Sequence, residues 1–346
     1  MTNSETDDPR WMRTALEAAE RGLGLTAPNP PVGCALVKNE ILIATGYHTR
    51  AGAPHAEIEA LQAARDAGVD TTGATAYVTL EPCSTHGRTP PCTAALIAAG
   101  ISRVVYATTD PNPAHAGRAD SVLAAAKIEV TTGVLATDAT DLIRGFAKRI
   151  TSNLPWVIAK AATSLDGRLT RPPGEPRWLT GGPAREDAHH LRSQVDAIIV
   201  GAETVRTDDP SLTVRGAAAT SKPTKNQPLR AILTRTGNIP ESAKLLNDDH
   251  RGRTLIYQSK TPDDILADLA TRGCNRVLLE GGGQLLSTFF AANLVDELAL
   301  YLAPLWCGAD TTPTSGTLAL PASIQLSPPT VTHLGQDIRI SFRVLR

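Results

Sequence analysis

Three side chains with metal-ligating atoms and one carboxylate fall at spacings that can do chemistry. His55-Ala56-Glu57 opens an expected helix over residues 55–67, Pro82-Cys83 follows an expected strand over residues 75–80, and Cys92 comes a short loop later. Zinc takes tetrahedral nitrogen and sulfur ligands, and a catalytic zinc keeps one position for water. His55, Cys83 and Cys92 offer three such ligands. Glu57, two residues from His55 on the first helical turn, reaches the remaining position without being a ligand. Water there ionises near neutral pH, and a carboxylate beside it can take the proton and hand it to a leaving amine. Two plainer readings stand beside this one: a structural zinc closed by four ligands, with His86 as the fourth, or two buried thiols. Glu57 has no use in either, and His86 is expected to face a substrate. Cys34, in an apolar strand, reads as a core thiol. His48 and His115 read as ordinary polar residues.

The second half carries weaker signals. Glu280-Gly281-Gly282-Gly283-Gln284 lies between an apolar strand and a helix, where glycines let backbone N–H groups approach a phosphate. It is not G-x-G-x-x-G, so a Rossmann fingerprint is absent and a mere strand–helix turn is an equal reading. Arg192, Arg206 and Arg215 bracket Thr207-Asp208-Asp209-Pro210, either as a cluster for a phosphorylated ligand or as a solvated charged loop.

The elements that must position these residues alternate helix and strand, which predicts an α/β fold. Residues 1–9 read as a frayed tail, followed by a helix from Trp11 with Trp11, Ala15, Ala18 and Gly22 on one face. The prolines of residues 27–33 exclude helix and make a rigid loop. Residues 34–37 and 41–47 form a hairpin around Asn39-Glu40. Further helices are expected over 93–99, 121–127 and 137–149, with strands over 103–108 and near Val130. After a boundary at residues 151–154 the pattern restarts. Strands are expected over 156–162, 197–201, 229–233, 254–257, 276–279, 297–302 and 337–344, and helices over 183–194, 262–271 and 284–292, with an exposed loop over 216–228. Two domains are expected, residues 1–150 and 155–346, within the 346-residue chain.

Composition narrows the class. The formal net charge of −1 and scattered Lys and Arg argue against a nucleic-acid partner, and 4% aromatic residues leave few base-stacking platforms. No apolar run is long enough for a membrane span, and the polar N-terminus lacks a secretory h-region. Five sparse cysteines point to a reducing, cytoplasmic setting.

The H-x-E and P-C pairing follows the logic of the zinc deaminases, whose second half is P-C-x-x-C; here it is stretched to eleven residues, 82–92. With Ala27-Pro28-Asn29-Pro30-Pro31-Val32-Gly33-Cys34, Glu81-Pro82-Cys83, Gly87-Arg88-Thr89-Pro90-Pro91-Cys92 and Asp110-Pro111-Asn112-Pro113, the chain resembles the bifunctional deaminase–reductases of riboflavin biosynthesis. The likeness continues through Lys160-Ala161-Ala162-Thr163-Ser164-Leu165-Asp166-Gly167-Arg168, Trp178-Leu179-Thr180, residues 201–205 and 208–215, and so runs from about Trp11 to the C-terminus. It implies a cytidine-deaminase-like α/β/α domain followed by a dihydrofolate-reductase-like α/β domain. The first would hydrolytically deaminate 2,5-diamino-6-(5-phosphoribosylamino)pyrimidin-4(3H)-one with Zn2+, and the second would reduce the ribosyl chain to ribityl with NADPH. The expectation is a cytoplasmic homo-oligomer acting on these small phosphoribosylaminopyrimidines, without nucleic-acid or membrane partners.

The resemblance also implies roles by position. Asn29 would bind the deaminase substrate, with His86 and Arg88 at its phosphate. Ala162, Trp178, Thr204 and Asp208 would contact NADPH, Gly282, Gly283, Gln284, Leu285, Leu286, Ser287 and Thr288 would hold its phosphates, and Arg235 its 2′-phosphate. Arg192, Leu212, Arg215 and Glu280 would meet the reductase substrate. One departure is Pro176, which stands where the family often has a substrate-touching Ser and offers no hydroxyl. The reductase needs a general acid, with Lys160, Asp208 and Glu280 as candidates. A second reading keeps the deaminase and makes the C-terminal domain a nucleotide-binding or assembly module.

Overall fold

The computed structural model describes residues 7–85, 90–221, 226–314, 316 and 323–346. The chain folds as two compact units, Met1–Ser152 and Asn153–Arg346.

In the first unit the order is α1 (Asp8–Glu20), β1 (Gly33–Lys38), β2 (Ile41–Tyr47), α2 (Ala56–Asp66), β3 (Thr75–Val78), α3 (Cys92–Ala98), β4 (Arg103–Tyr106), α4 (Arg118–Ala125), β5 (Glu129–Thr132) and α5 (Ala136–Ser152). The sheet runs β2-β1-β3-β4-β5. Its antiparallel hairpin turns at Asn39 and Glu40, both at positive φ, the geometry a two-residue hairpin turn demands. Side chains alternate across the strands. Cys34, Leu36, Val78 and Val104 pack on Ala60, Leu96 and Leu123 on one face, while Ala35, Val37, Tyr77 and Val105 pack on Trp11, Met12 and Ala139 on the other. The result is an α/β/α sandwich. Gly33 is needed where β1 meets α1, because a Cβ there would lie 2.0 Å from the Ala15 carbonyl oxygen.

Three expectations change. The tail does not fray through Pro9. Asp8 is buried, takes the hydroxyl of Tyr77 at 2.8 Å and both Nη atoms of Arg103 at 2.8 Å, and starts α1. Gly22 lies beyond the end of α1, where a Cβ would come within 2.8 Å of the His48 carbonyl. Helix α4 begins at Arg118 instead of Ser121, because a buried carboxylate from another loop receives its first N–H groups.

The second unit contains β6 (Trp156–Thr163), α6 (Gly182–Ser193), β7 (Ala197–Gly201), α7 (Ala202–Asp208), α8 (Ala217–Thr220), β8 (Leu229–Thr234), α9 (Lys244–Asn247), β9 (Thr254–Gln258), α10 (Pro262–Thr271), β10 (Arg276–Glu280), α11 (Gly283–Ala291), β11 (Glu297–Leu302), β12 (Thr330–Leu334) and β13 (Asp337–Arg343). Its sheet runs β12-β13-β11-β6-β10-β7-β8-β9, parallel from β11 to β9, with β13 and β12 antiparallel at one edge. Residues of one parity, such as Val157, Ala159, Val277 and Leu279, pack on α10 and α11. Those of the other, such as Ile158, Ile198 and Leu278, pack with Ala184 and Leu191 of α6. Helix α7 was not expected, since it follows β7 without a connecting residue. Strand β12 buries no residue, so it carries no hydrophobic alternation to read. Part of the expected 216–228 loop is the single turn α8.

Candidate functional sites at the metal-ligating cluster and the carboxyl ends of the parallel strands

In the first unit, three elements deliver the ligands. His55 is the N-cap of α2, Cys83 follows β3, and Cys92 opens α3. Their ligand atoms all lie within 4.8 Å of one another. His55 Nδ1 is 3.3 Å from Cys92 Sγ and 3.6 Å from Cys83 Sγ, and the Cys92 backbone N–H donates to Cys83 Sγ at 3.2 Å. One imidazole and two thiols so gathered are a donor set that suits zinc. The Cys83 thiol is pushed down toward its thiolate, by the Cys92 thiol first and then by His55 and the Cys92 N–H, against burial. Glu57, in the first turn of α2, is buried with its carboxyl raised, first by burial and then by the charge of Cys83.

Two further residues support this cluster. Glu81, immediately before Pro82-Cys83, accepts the N–H groups of Asp110 and Gly117 on Oε2 at 3.2 and 2.9 Å and of Ala119 on Oε1 at 3.0 Å. It therefore caps α4 and anchors the 110–117 loop to the cysteine segment. His48 is buried, and its Nδ1 lies 2.9 Å from the Pro54 carbonyl, which can only accept. The neutral ring then offers Nε2 as an acceptor for Asn29 Nδ2, 3.0 Å away. Its edge also meets the His55 ring, with centroids 5.5 Å apart. The reading of His48 as an ordinary polar residue is thereby corrected. His115 also has a partner, the Thr85 hydroxyl at 3.1 Å. His86 and Arg88 lie outside the described residues.

In the second unit, Lys160 and Glu280 stand directly opposite on the neighbouring parallel strands β6 and β10, and two residues further along β6 Ala162 is paired with Tyr301 of β11 on its other side. Arg192 of α6 grips Glu280 with two hydrogen bonds and sends Nη1 to the Thr213 carbonyl at 3.2 Å. Arg215 bonds the Thr213 hydroxyl at 3.1 Å. Lys160 Nζ lies 5.4 Å from the centre of the Tyr301 ring, whose hydroxyl is bound by Asp187, itself held by Arg339. Arg192, Arg215 and Glu280 are thus brought together. Arg206 is not part of this group: it pairs with Glu203 and the Asn238 carbonyl. Leu212 is buried in the core, so only its backbone can meet a ligand.

Trp178 is 54% exposed, with Arg177 and Arg185 over its ring at 4.8 and 5.7 Å. Arg177 also pairs with the Asp208 carboxylate at 3.3 Å. Pro176 is exposed beside it, Thr204 is half-buried on α7, and Arg235 is exposed just past β8. Gly282 caps α11. Gly283 is packed so closely that a Cβ would lie 2.6 Å from the Thr314 carbonyl. Gln284 is exposed, Leu285 and Thr288 are half-buried, Leu286 is in the core, and the Ser287 hydroxyl accepts the Gly316 N–H at 2.9 Å. Any phosphate contact from Leu286 is therefore through backbone.

A metal-ligating His-Cys-Cys cluster in one α/β unit and a basic, half-buried strand-end site in the other define a two-domain enzyme. Residues 5–108 match the family model for the cytidine and deoxycytidylate deaminase zinc-binding region, and residues 155–340 match the RibD C-terminal domain. The chain is 38% identical to the riboflavin biosynthesis protein RibD of Escherichia coli over 96% of this chain and 98% of that one. It is 37% identical to the Aquifex aeolicus protein over 97% and 98%. The solved structure of Acinetobacter baumannii RibD superimposes with a TM-score of 0.88 at 38% identity, covering 98% of this chain and 99% of that one. A Thermotoga maritima deaminase/reductase gives 0.87 at 32%, with the same coverage. The chain belongs to the RibD family, the bifunctional deaminase–reductases of riboflavin biosynthesis.

Proposed function

We propose that the first unit hydrolytically deaminates 2,5-diamino-6-(5-phosphoribosylamino)pyrimidin-4(3H)-one and that the second reduces 5-amino-6-(5-phosphoribosylamino)uracil with NADPH. The observation that carries the deaminase assignment is the convergence of His55, Cys83 and Cys92 with Glu57 buried in the adjoining helical turn. His55, Cys83 and Cys92 hold zinc. Zinc, when bound, supplies the Lewis acidity that makes water a nucleophile at neutral pH. Glu57 takes the water's proton and delivers it to the nitrogen that departs as ammonia. Burial favours the protonated carboxyl that this delivery needs. Asn29, held by His48, orients the pyrimidine.

In the reductase, NADPH supplies the hydride when bound, with Trp178, Thr204, Asp208, Ala162, Arg235 and the 282–288 segment as its contacts. Arg215, beside Arg192, takes the substrate phosphate. Reduction at C1 of the ring-opened ribosylamine also needs a proton. Glu280 is ionised, at about 2, because Arg192 overrides its burial, and Asp208 is occupied by Arg177. Lys160 remains as the donor, its ammonium destabilised by burial and held by Glu280.

Cytoplasmic location is supported by five cysteines that form no disulfide. Among the described residues no helix is long and apolar enough to cross a membrane. Chelation tests the division of labour: it stops ammonia release and leaves NADPH oxidation on the deaminated substrate intact.

A further inference from the structure

Lys160 is half-buried on β6, with Glu280 of β10 opposite it on one side and Ala299 of β11 on the other. Burial works against its ammonium, Glu280 works for it, and Arg192 works against it. Both oxygens of Glu280 already receive hydrogen bonds from Arg192. Among the described residues, Lys160 Nζ has no hydrogen-bond partner. Ala299 offers it only a methyl group. Two residues further along β11, Tyr301 brings its ring to Lys160, with Nζ over the ring and 5.4 Å from its centre. An aromatic face attracts a cation, most strongly where water is excluded.

The ring is fixed from its far end. Tyr301 is 1% exposed and belongs to the same core as Ile158, Ile198 and Leu278. Its hydroxyl donates to Asp187 Oδ2 of α6 at 2.6 Å, and Arg339 Nη1 of β13 donates to both Asp187 oxygens, at 2.9 and 2.7 Å. Burial first, and then the bond to Asp187, push the hydroxyl's pKa up, so the ring is that of a neutral phenol. A phenol that donates to a carboxylate is polarised toward its ring, which strengthens the pull of that ring on a cation.

We propose that Tyr301 is a positioning residue of the reductase: its ring, pinned by Asp187, holds the Lys160 ammonium beside Glu280 in place to give up its proton. This rests on the reading of Lys160 as the proton donor. The competing role is structural, with Tyr301 serving only to fill the core.

Substitutions at position 301 separate these roles. Tyr301→Leu removes the ring and keeps an apolar side chain. Tyr301→Phe keeps the ring and leaves Asp187 in the grip of Arg339. Phenylalanine carrying successive ring fluorines at position 301 keeps the shape and drains the ring face of electron density. The measurement is reductase kcat and KM with NADPH and 5-amino-6-(5-phosphoribosylamino)uracil, made in the wild-type chain and again in Lys160→Met. Tyr301→Leu is expected to lose about tenfold or more in kcat, the worth of a cation held on a desolvated ring, with KM for NADPH unchanged. Tyr301→Phe is expected to recover most of that loss, and kcat to fall stepwise as fluorines are added. In the Lys160→Met background none of these changes is expected to cost anything further, because the ammonium on which the ring acts is gone. A kcat indifferent to fluorination, or losses that recur in full in Lys160→Met, overturn the proposal in favour of core filling. The fluorinated series decides the matter even where Tyr301→Leu does not fold. If Lys160→Met itself keeps the kcat of wild type, the reading of Lys160 as donor falls. If it loses kcat and the fluorinated series does not, only the role of Tyr301 falls.

Discussion

Arg192 holds Glu280 by both carboxylate oxygens, Nε to Oε1 at 2.6 Å and Nη2 to Oε2 at 2.7 Å, across 88 residues of sequence. Burial alone would raise this carboxyl, but Arg192, and then Lys160, bring it down to about 2. The folded-state value lies below the unfolded one, so the pair's stabilisation is complete above about pH 4.5 and is lost as the pH falls toward 2. Thermal melts of wild type and Glu280→Gln are expected to differ at neutral pH and to converge across that window. A gap that stays constant down to pH 2 contradicts the pairing as a source of stability.

Lys160 is the proposed proton donor of the reductase. Lys160→Met keeps the length and apolar stem of the side chain and deletes the ammonium. Reductase kcat is expected to fall by roughly 10²–10⁴-fold, with ammonia release by the deaminase unchanged. NADPH affinity, read by quenching of Trp178 fluorescence, is expected to hold. A kcat within a few-fold of wild type assigns the proton to another group.

Arg235 is exposed at the carboxyl end of β8, where an arginine can read the 2′-phosphate that distinguishes NADPH from NADH. In Arg235→Gln, kcat/KM with NADPH is expected to drop about tenfold or more while that with NADH barely changes. A parallel loss with both cofactors removes Arg235 from that role.

Gly33 lets β1 approach α1 closely enough for Trp11, Met12 and Ala15 to pack on the sheet. Gly33→Ala forces a Cβ against backbone at 2.0 Å, which no side-chain rotamer can relieve. A loss of about 1–3 kcal/mol or more is expected, read as a lowered melting temperature or soluble yield. A variant that melts with wild type would show that the helix can shift away without cost.

The His-Cys-Cys cluster was legible in sequence because its chemistry sits in residue types at short spacing: H-x-E, then P-C, then Cys92. Its supports were not. Asn29 and His48 meet only because the 27–31 loop folds over the end of β2, and Glu81 finds its three N–H groups on a loop 29–38 residues further on. Asp8 looked like tail because its partners, Tyr77 and Arg103, lie on later strands. In the second unit the hydrophobic runs marked most strands, but nothing in them says that β10 inserts between β6 and β7. That insertion is what sets Glu280 opposite Lys160, whereas Arg206 leaves the arginines with which its spacing had grouped it because its guanidinium goes to Glu203 and the Asn238 carbonyl.

The most direct test of the two-activity account measures ammonia and NADPH together, in one reaction given the diaminopyrimidine substrate. Wild type is expected to release ammonia and to oxidise NADPH after it. Glu57→Gln is expected to keep its zinc, lose both signals, and regain NADPH oxidation when supplied with 5-amino-6-(5-phosphoribosylamino)uracil. Ammonia release without NADPH loss in the wild type, or none regained by the variant on deaminated substrate, contradicts a functional reductase in this chain.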